Sequence, residues 1–90
     1  MKRAHIFIEG RVQGVGFRHF TKTNARQLGV NGWVKNLPDG RVEAVFEGEE
    51  PPVKKMVERV KEGPRASSVS NVEVEWETPS REFSNFRVTY

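Results

Sequence analysis

An α+β fold with the element order β-α-β-β-α-β and a short final strand is predicted for this chain of 90 residues. Three observations predict it. Two stretches place apolar residues at helical spacing, the remaining apolar stretches alternate in the manner of strands, and Gly or Pro clusters stand between them.

Residues 4–9 read as the first strand, with Ile6 and Ile8 facing one way and His5 and Phe7 the other. Residues 17–28 read as a helix whose inner face is Phe17, Phe20, Thr21, Asn24, Ala25 and Leu28. Gly29 stops it, in the position that tolerates left-handed dihedrals. Residues 31–37 and 41–47 form a hairpin around the tight turn Pro38-Asp39-Gly40, with Val42, Ala44 and Phe46 on one face. Residues 48–52 break the chain. Residues 52–62 are the second helix, where Val53, Met56, Val57 and Val60 fall at i, i+3, i+4 and i+7 and Lys54, Lys55, Glu58, Arg59 and Lys61 take the wet side. Gly63-Pro64 ends it. In residues 69–77, Val72, Val74 and Trp76 point inward and Glu73, Glu75 and Glu77 outward; 78–84 is a polar loop. Phe86, Val88 and Tyr90 supply a short last strand.

This order is the ferredoxin-like split βαβ sandwich, two helices on one face of a mixed sheet. Crossover rules put the first and third strands in the middle. The ends of the first and second strands then lie side by side, which brings the loop of residues 10–18 to Asn36.

Composition narrows the class. Ninety residues make one domain, 1–90, with a thin core. The net charge of +3 favours anionic ligands but is too mild to demand nucleic acid, since Glu47, Glu49, Glu50, Glu73, Glu75 and Glu77 interrupt any basic stripe. No cysteine is present, so there is no disulfide framework, thiolate metal site or Cys nucleophile. No apolar run is long enough for a membrane span and no signal peptide is visible, so a cytoplasmic location is expected.

The segment Arg11-Val12-Gln13-Gly14-Val15-Gly16-Phe17-Arg18 follows a strand and opens a helix. Its glycines permit backbone conformations closed to other residues and close approach to a ligand. The helix start turns free N–H groups and the positive dipole end outward, beside Arg18. These features describe an anion cradle for one small phosphoryl group. A P-loop is excluded because Phe17-Arg18, not Lys-Ser/Thr, follows Gly16, and a dinucleotide fingerprint because position 19 is His. By spacing alone, a Gly-rich connection bearing a surface Arg remains open, as does Asn36 in an ordinary turn, although Pro38-Asp39-Gly40 already supplies that turn.

Gly10 to Arg18 together with Gly32-Trp33-Val34-Lys35-Asn36-Leu37-Pro38-Asp39-Gly40 resembles the acylphosphatase family, without a departure at the key positions and over nearly the whole chain. The resemblance implies a hydrolase that converts an acyl phosphate and water to a carboxylate and orthophosphate, with no cofactor and no metal. It implies that Arg18 binds the phosphate, that the backbone amides of Gln13, Gly14, Val15, Gly16, Phe17 and Arg18 complete the cradle, and that Asn36 positions the attacking water. The substrate's own phosphate oxygen is the implied base. Inorganic phosphate or sulfate is then an expected site ligand, and the chain is expected to act as a monomer.

Other readings are weaker. An RNA-binding module of this fold needs exposed aromatics on central strands, and the third strand carries Glu43 and Glu47, which repel phosphates. A phosphate- or carbamoyl phosphate-binding regulatory domain is the other alternative, because a similar domain opens the larger hydrogenase-maturation carbamoyltransferases; the length here suits the free enzyme. His19 is read as an exposed helix residue rather than a general acid, and His5 as a half-buried strand residue. Neither has Asp, Glu or Cys partners at ligand spacing. Ser67, Ser68 and Ser70 have no evident base. Trp33 and Trp76 are read as packing residues.

Overall fold

The computed structural model describes residues Met1–Tyr90. The elements are β1 (Lys2–Arg11), α1 (Phe17–Leu28), β2 (Asn31–Asn36), β3 (Val42–Gly48), α2 (Glu50–Glu62), β4 (Ser68–Glu77) and β5 (Phe86–Val88). They build one five-stranded sheet in the order β4-β1-β3-β2-β5. β1 pairs antiparallel with β3 and β4, β2 antiparallel with β3, and β5 parallel with β2. The central position of β1 and β3 agrees with the sequence reading. Because β1 and β2 are each antiparallel to β3, they run in the same direction and end at the same edge of the sheet.

Both helices pack on one face. Alternation sends Ala4, Ile6 and Ile8 of β1, Val34 of β2 and Val42, Ala44 and Phe46 of β3 into the core, all fully buried. They meet Phe17 and Ala25 of α1 and Val53, Met56, Val57 and Val60 of α2. Phe86 closes the core against Phe46, ring centroids 5.8 Å apart. Removing an aromatic of this kind costs about 3–5 kcal/mol. Inner-face Thr21 is buried without penalty because its hydroxyl donates to the Phe17 carbonyl at 2.8 Å.

The structure departs from the sequence reading at several boundaries. α2 begins at Glu50, so Pro51 and Pro52 lie in its first turn, where proline's missing N–H has no intrahelical partner to lose. β1 extends to Lys2 and Arg11, and Tyr90 lies beyond β5. Trp76 shares the inward alternation of Val72 and Val74 but is 49% exposed, on the edge strand β4.

Residues 78–85 are more than a polar loop. They leave β4 at one edge and must reach β5 at the other, so they cross β1, β3 and β2. Glu77, Arg3, Glu47 and Asn31 form one row across those strands. The crossing segment docks on that row. Arg3 donates to Ser80 Oγ (2.9 Å), the Arg81 amide donates to Glu47 Oε1 (2.7 Å), and Asn31 donates to the Phe83 carbonyl (3.3 Å). Glu47, only 2% exposed, is thereby buried and paired with Arg3.

His5 also corrects the sequence reading, which gave it no acidic partners. Its Nε2 lies 2.6 Å from Glu43 and its Nδ1 3.0 Å from Glu77, on the two strands flanking β1. Pairing register, not sequence spacing, creates those contacts.

Candidate active site

At the sheet edge where β1 and β2 end, a cleft of about 310 Å³ is lined by Val12, Gly14, Gly16, Phe17, Arg18, His19, Lys22, Asn36, Val88 and Tyr90. Gly14 and Gly16 have φ of 73° and 78°, the left-handed region. A Cβ at either position would meet nothing within 4 Å, so glycine is required there for backbone conformation and not for space. Gly16 is the N-cap of α1 and offers no side-chain cap. The first turn of α1 holds no acidic residue, so its free N–H groups and dipole face the cleft without an internal counter-charge.

Arg18 stands in that first turn. It takes part in none of the ion pairs of the chain. Its guanidinium lies over the Tyr90 ring, 5.0 Å from the centroid, which leaves the N–H fork free at its edge. Asn36 closes the other side from the end of β2. Its Oδ1 is buried and accepts no hydrogen bond from any protein group, which singles out an oxygen aimed at a ligand or water.

The loop is tied to the β2–β3 turn by one side chain. Gln13 Nε2 donates to the Leu37 carbonyl (2.8 Å) and to the Arg41 carbonyl (2.9 Å). The turn is itself braced: Asp39 accepts from the Arg41 amide (3.1 Å) and from Arg41 Nε (2.8 Å), and these bonds hold its carboxyl below the ordinary value. Gln13 therefore fixes the distance between the glycine loop and Asn36.

The structure thus gathers the sequence-predicted Arg18, Asn36, Gly14, Gly16 and Phe17 in one cleft, with Gln13 and Val15 in the loop beneath. His19 is exposed but lines the rim. Sequence reasoning missed Lys22, Val88, Tyr90 and the tethering role of the Gln13 side chain. Lys22 had a signal, being four residues from Arg18 on the same helix face. Tyr90 had none: it reaches the cleft because β5 pairs with β2 in a register that sets Val88 beside Val34, which carries Tyr90 to the level of Asn36.

A family model described as Acylphosphatase matches residues 4–88. This chain belongs to the acylphosphatase family. It is 53% identical to an acylphosphatase from Roseiflexus sp. (strain RS-1), covering 100% of this chain and 97% of that protein. The crystal structure of acylphosphatase from Bacillus subtilis is 40% identical and superposes with a TM-score of 0.96 over 100% of both chains. Full-length HypF in a phosphate- and nucleotide-bound form contains a similar region, 27% identical with a TM-score of 0.86, which spans 12% of that chain. Like its acylphosphatase relatives, this chain is a hydrolase of acyl phosphates, with the ferredoxin-like architecture predicted from its sequence.

Proposed function

We propose that the cleft performs this hydrolysis with Arg18 and Asn36 in separate roles. The observation that supports the division is their placement: an unpaired guanidinium at a helix start and an unpartnered amide oxygen face one cleft that no Asp or Glu side chain lines. The backbone amides of Gln13, Gly14, Val15, Gly16, Phe17 and Arg18, with the Arg18 fork, hold the phosphoryl group. Asn36 accepts a hydrogen bond from water and holds it in line with phosphorus. The water oxygen bonds to phosphorus while the bond from phosphorus to the acyl oxygen breaks. The electron pair of that bond leaves with the carboxylate, and the water proton passes to a phosphoryl oxygen. A carboxylate is a good leaving group and the transition state is loose, so placement and charge stabilisation suffice without a protein base.

In this reading residues 1–90 act as a single domain and a monomer, because one chain supplies every wall of the cleft. Inorganic phosphate or sulfate competes for the cradle. Nucleic acid is disfavoured by Glu43, Glu73, Glu75 and Glu77 on the sheet face opposite the helices. A cytoplasmic location fits a chain in which no helix is long and apolar enough to cross a membrane.

The test is benzoyl phosphate hydrolysis followed by ultraviolet absorbance with EDTA present. Arg18→Ala weakens phosphate inhibition and abolishes most turnover. Asn36→Ala keeps phosphate affinity and lowers kcat by roughly 10²–10³, the scale for one positioned polar group. Loss of phosphate affinity with unchanged kcat in Asn36→Ala refutes the division of roles. Folded wild type without turnover refutes the catalytic reading of the cleft and leaves binding of phosphate or carbamoyl phosphate.

A further inference from the structure

His5 stands on the sheet face opposite the helices with a carboxylate oxygen against each ring nitrogen. Glu43 Oε2 is 2.6 Å from Nε2, and Glu77 Oε2 is 3.0 Å from Nδ1. A neutral imidazole carries one N–H and so donates to only one of them. With that proton on Nε2, at the shorter contact, the Nδ1 lone pair faces a carboxylate lone pair. The arrangement calls for a positive charge between Nδ1 and Glu77, and either a second ring proton or a bound cation supplies it.

A third group completes a ligand set at that point. The β1–β4 register sets Glu75 directly opposite His5, and Glu77, two residues on, shares its face. One ligand atom from each of His5, Glu75 and Glu77 lies within 4.8 Å of the others. Nitrogen and oxygen atoms on one tetrahedral zinc ion stand about 3.4 Å apart, from bond lengths near 2.1 Å. Rotation of Glu75 closes the difference, because its side chain is exposed and enters no ion pair. The other two ligands are already braced from behind. Glu43 fixes the ring tautomer that leaves Nδ1 bare, as a carboxylate does behind a metal-bound histidine. Arg3 Nε donates to Glu77 Oε1 at 2.9 Å, which leaves Oε2 toward His5. A ring nitrogen in the set favours zinc and its neighbours over magnesium and calcium, which prefer oxygen. We propose that His5 Nδ1, Glu75 and Glu77 bind one divalent transition-metal ion of the zinc class, which clamps the edge strand β4 to β1. None of these residues lines the cleft, so the ion holds the sheet and takes no part in hydrolysis.

The test titrates zinc chloride by calorimetry into the full chain, free of any tag, stripped with EDTA and dialysed into a phosphate-free buffer at neutral pH. The chain binds one ion, and Tm rises by roughly 10–20 °C when zinc stands a hundredfold above Kd. Glu43→Gln removes no ligand yet weakens binding about 10–100-fold. His5→Gln weakens it further. Glu75→Gln breaks no ion pair of the folded chain and also weakens binding, so a loss of affinity there is not a loss of fold. His19→Gln, at the other histidine, binds zinc as wild type does, and magnesium chloride does not compete. Zinc affinity that either His5→Gln or Glu75→Gln leaves unchanged overturns the inference. So does a loss of affinity in His19→Gln, equal affinity for magnesium, or no binding at millimolar zinc. Binding without a rise in Tm overturns the clamp. Each of these outcomes leaves the hydrolase reading of the cleft intact.

Discussion

Replacing Gln13 tests whether the glycine loop is held in place by a side chain or merely by its own backbone. Its amide nitrogen donates to two carbonyl groups, at 2.8 and 2.9 Å. Each such neutral bond contributes about 0.5–1.5 kcal/mol. Neither carbonyl is orphaned when Gln13 is removed. The Leu37 carbonyl also accepts from the Gly40 amide (3.1 Å) and the Arg41 carbonyl from the Leu37 amide (2.8 Å). No desolvation penalty adds to the loss, so Gln13→Ala destabilises by about 1–3 kcal/mol. For a domain of this size that lowers Tm by several degrees, at roughly 4–8 °C per kcal/mol. Gln13→Glu is the sharper variant. It keeps the volume but sets a carboxylate against two carbonyl oxygens, so near pH 7 it is no more stable than Gln13→Ala, and it recovers as acid protonates it. Both variants free the loop to shift against Asn36, and a misplacement near 1 Å lowers kcat/KM by up to about 10². Urea denaturation with an unchanged m-value gives the stability, and benzoyl phosphate hydrolysis the activity. A Gln13→Glu protein as stable and active as wild type at pH 7 would refute the tether.

Three further outcomes are expected. Glu47→Ala removes the acceptor of the Arg81 amide and a partner of Arg3, but Arg3 keeps Glu77 at 2.9 Å, so the loss is about 2–3 kcal/mol, at or below the usual range for breaking a buried pair, by urea denaturation. Burial lowers the pKa of His5, yet its hydrogen bonds to Glu43 and Glu77 outweigh that and raise it above 6.5. The stability that charged His5 contributes is therefore full below about pH 6.5 and is lost as pH rises through the higher folded value. His5→Gln flattens that slope in Tm measured from pH 6 to 9. Gly14→Ala forces a Cβ into φ 73°, at about 1–2 kcal/mol. The same change at Gly29, φ 72° but outside the cleft, makes a similar stability loss with activity kept, whereas Gly14→Ala also raises KM. Equal KM values for the two variants would show that the Gly14 backbone takes no part in binding.

The chain order of the fold and the two predicted side chains of the site were written in local sequence. Val53, Met56, Val57 and Val60 repeat at the helical period, and Ile6, Ile8, Val42, Ala44 and Phe46 at the strand period, so each segment's buried face follows from its own residues. Gly14 and Gly16 announce the loop because only glycine settles at their dihedrals. Arg18 and Asn36 stood out because their surrounding motifs resemble a known family. What local sequence does not contain is which residues meet across strands. His5 lies 38 residues from Glu43 and 72 from Glu77, and Glu47 is 34 from the Arg81 amide that it accepts. Those contacts, the Gln13 tether and the approach of Lys22 and Tyr90 to the cleft depend on strand order and register. Both are set by how the whole sheet buries its apolar face, a property of all the elements together. The sequence by itself therefore determined the elements, their inward faces and the glycine loop. The tertiary structure alone decided the partners of the charged residues and the walls of the cleft, because a side chain's neighbours in space are chosen by packing between segments distant along the chain.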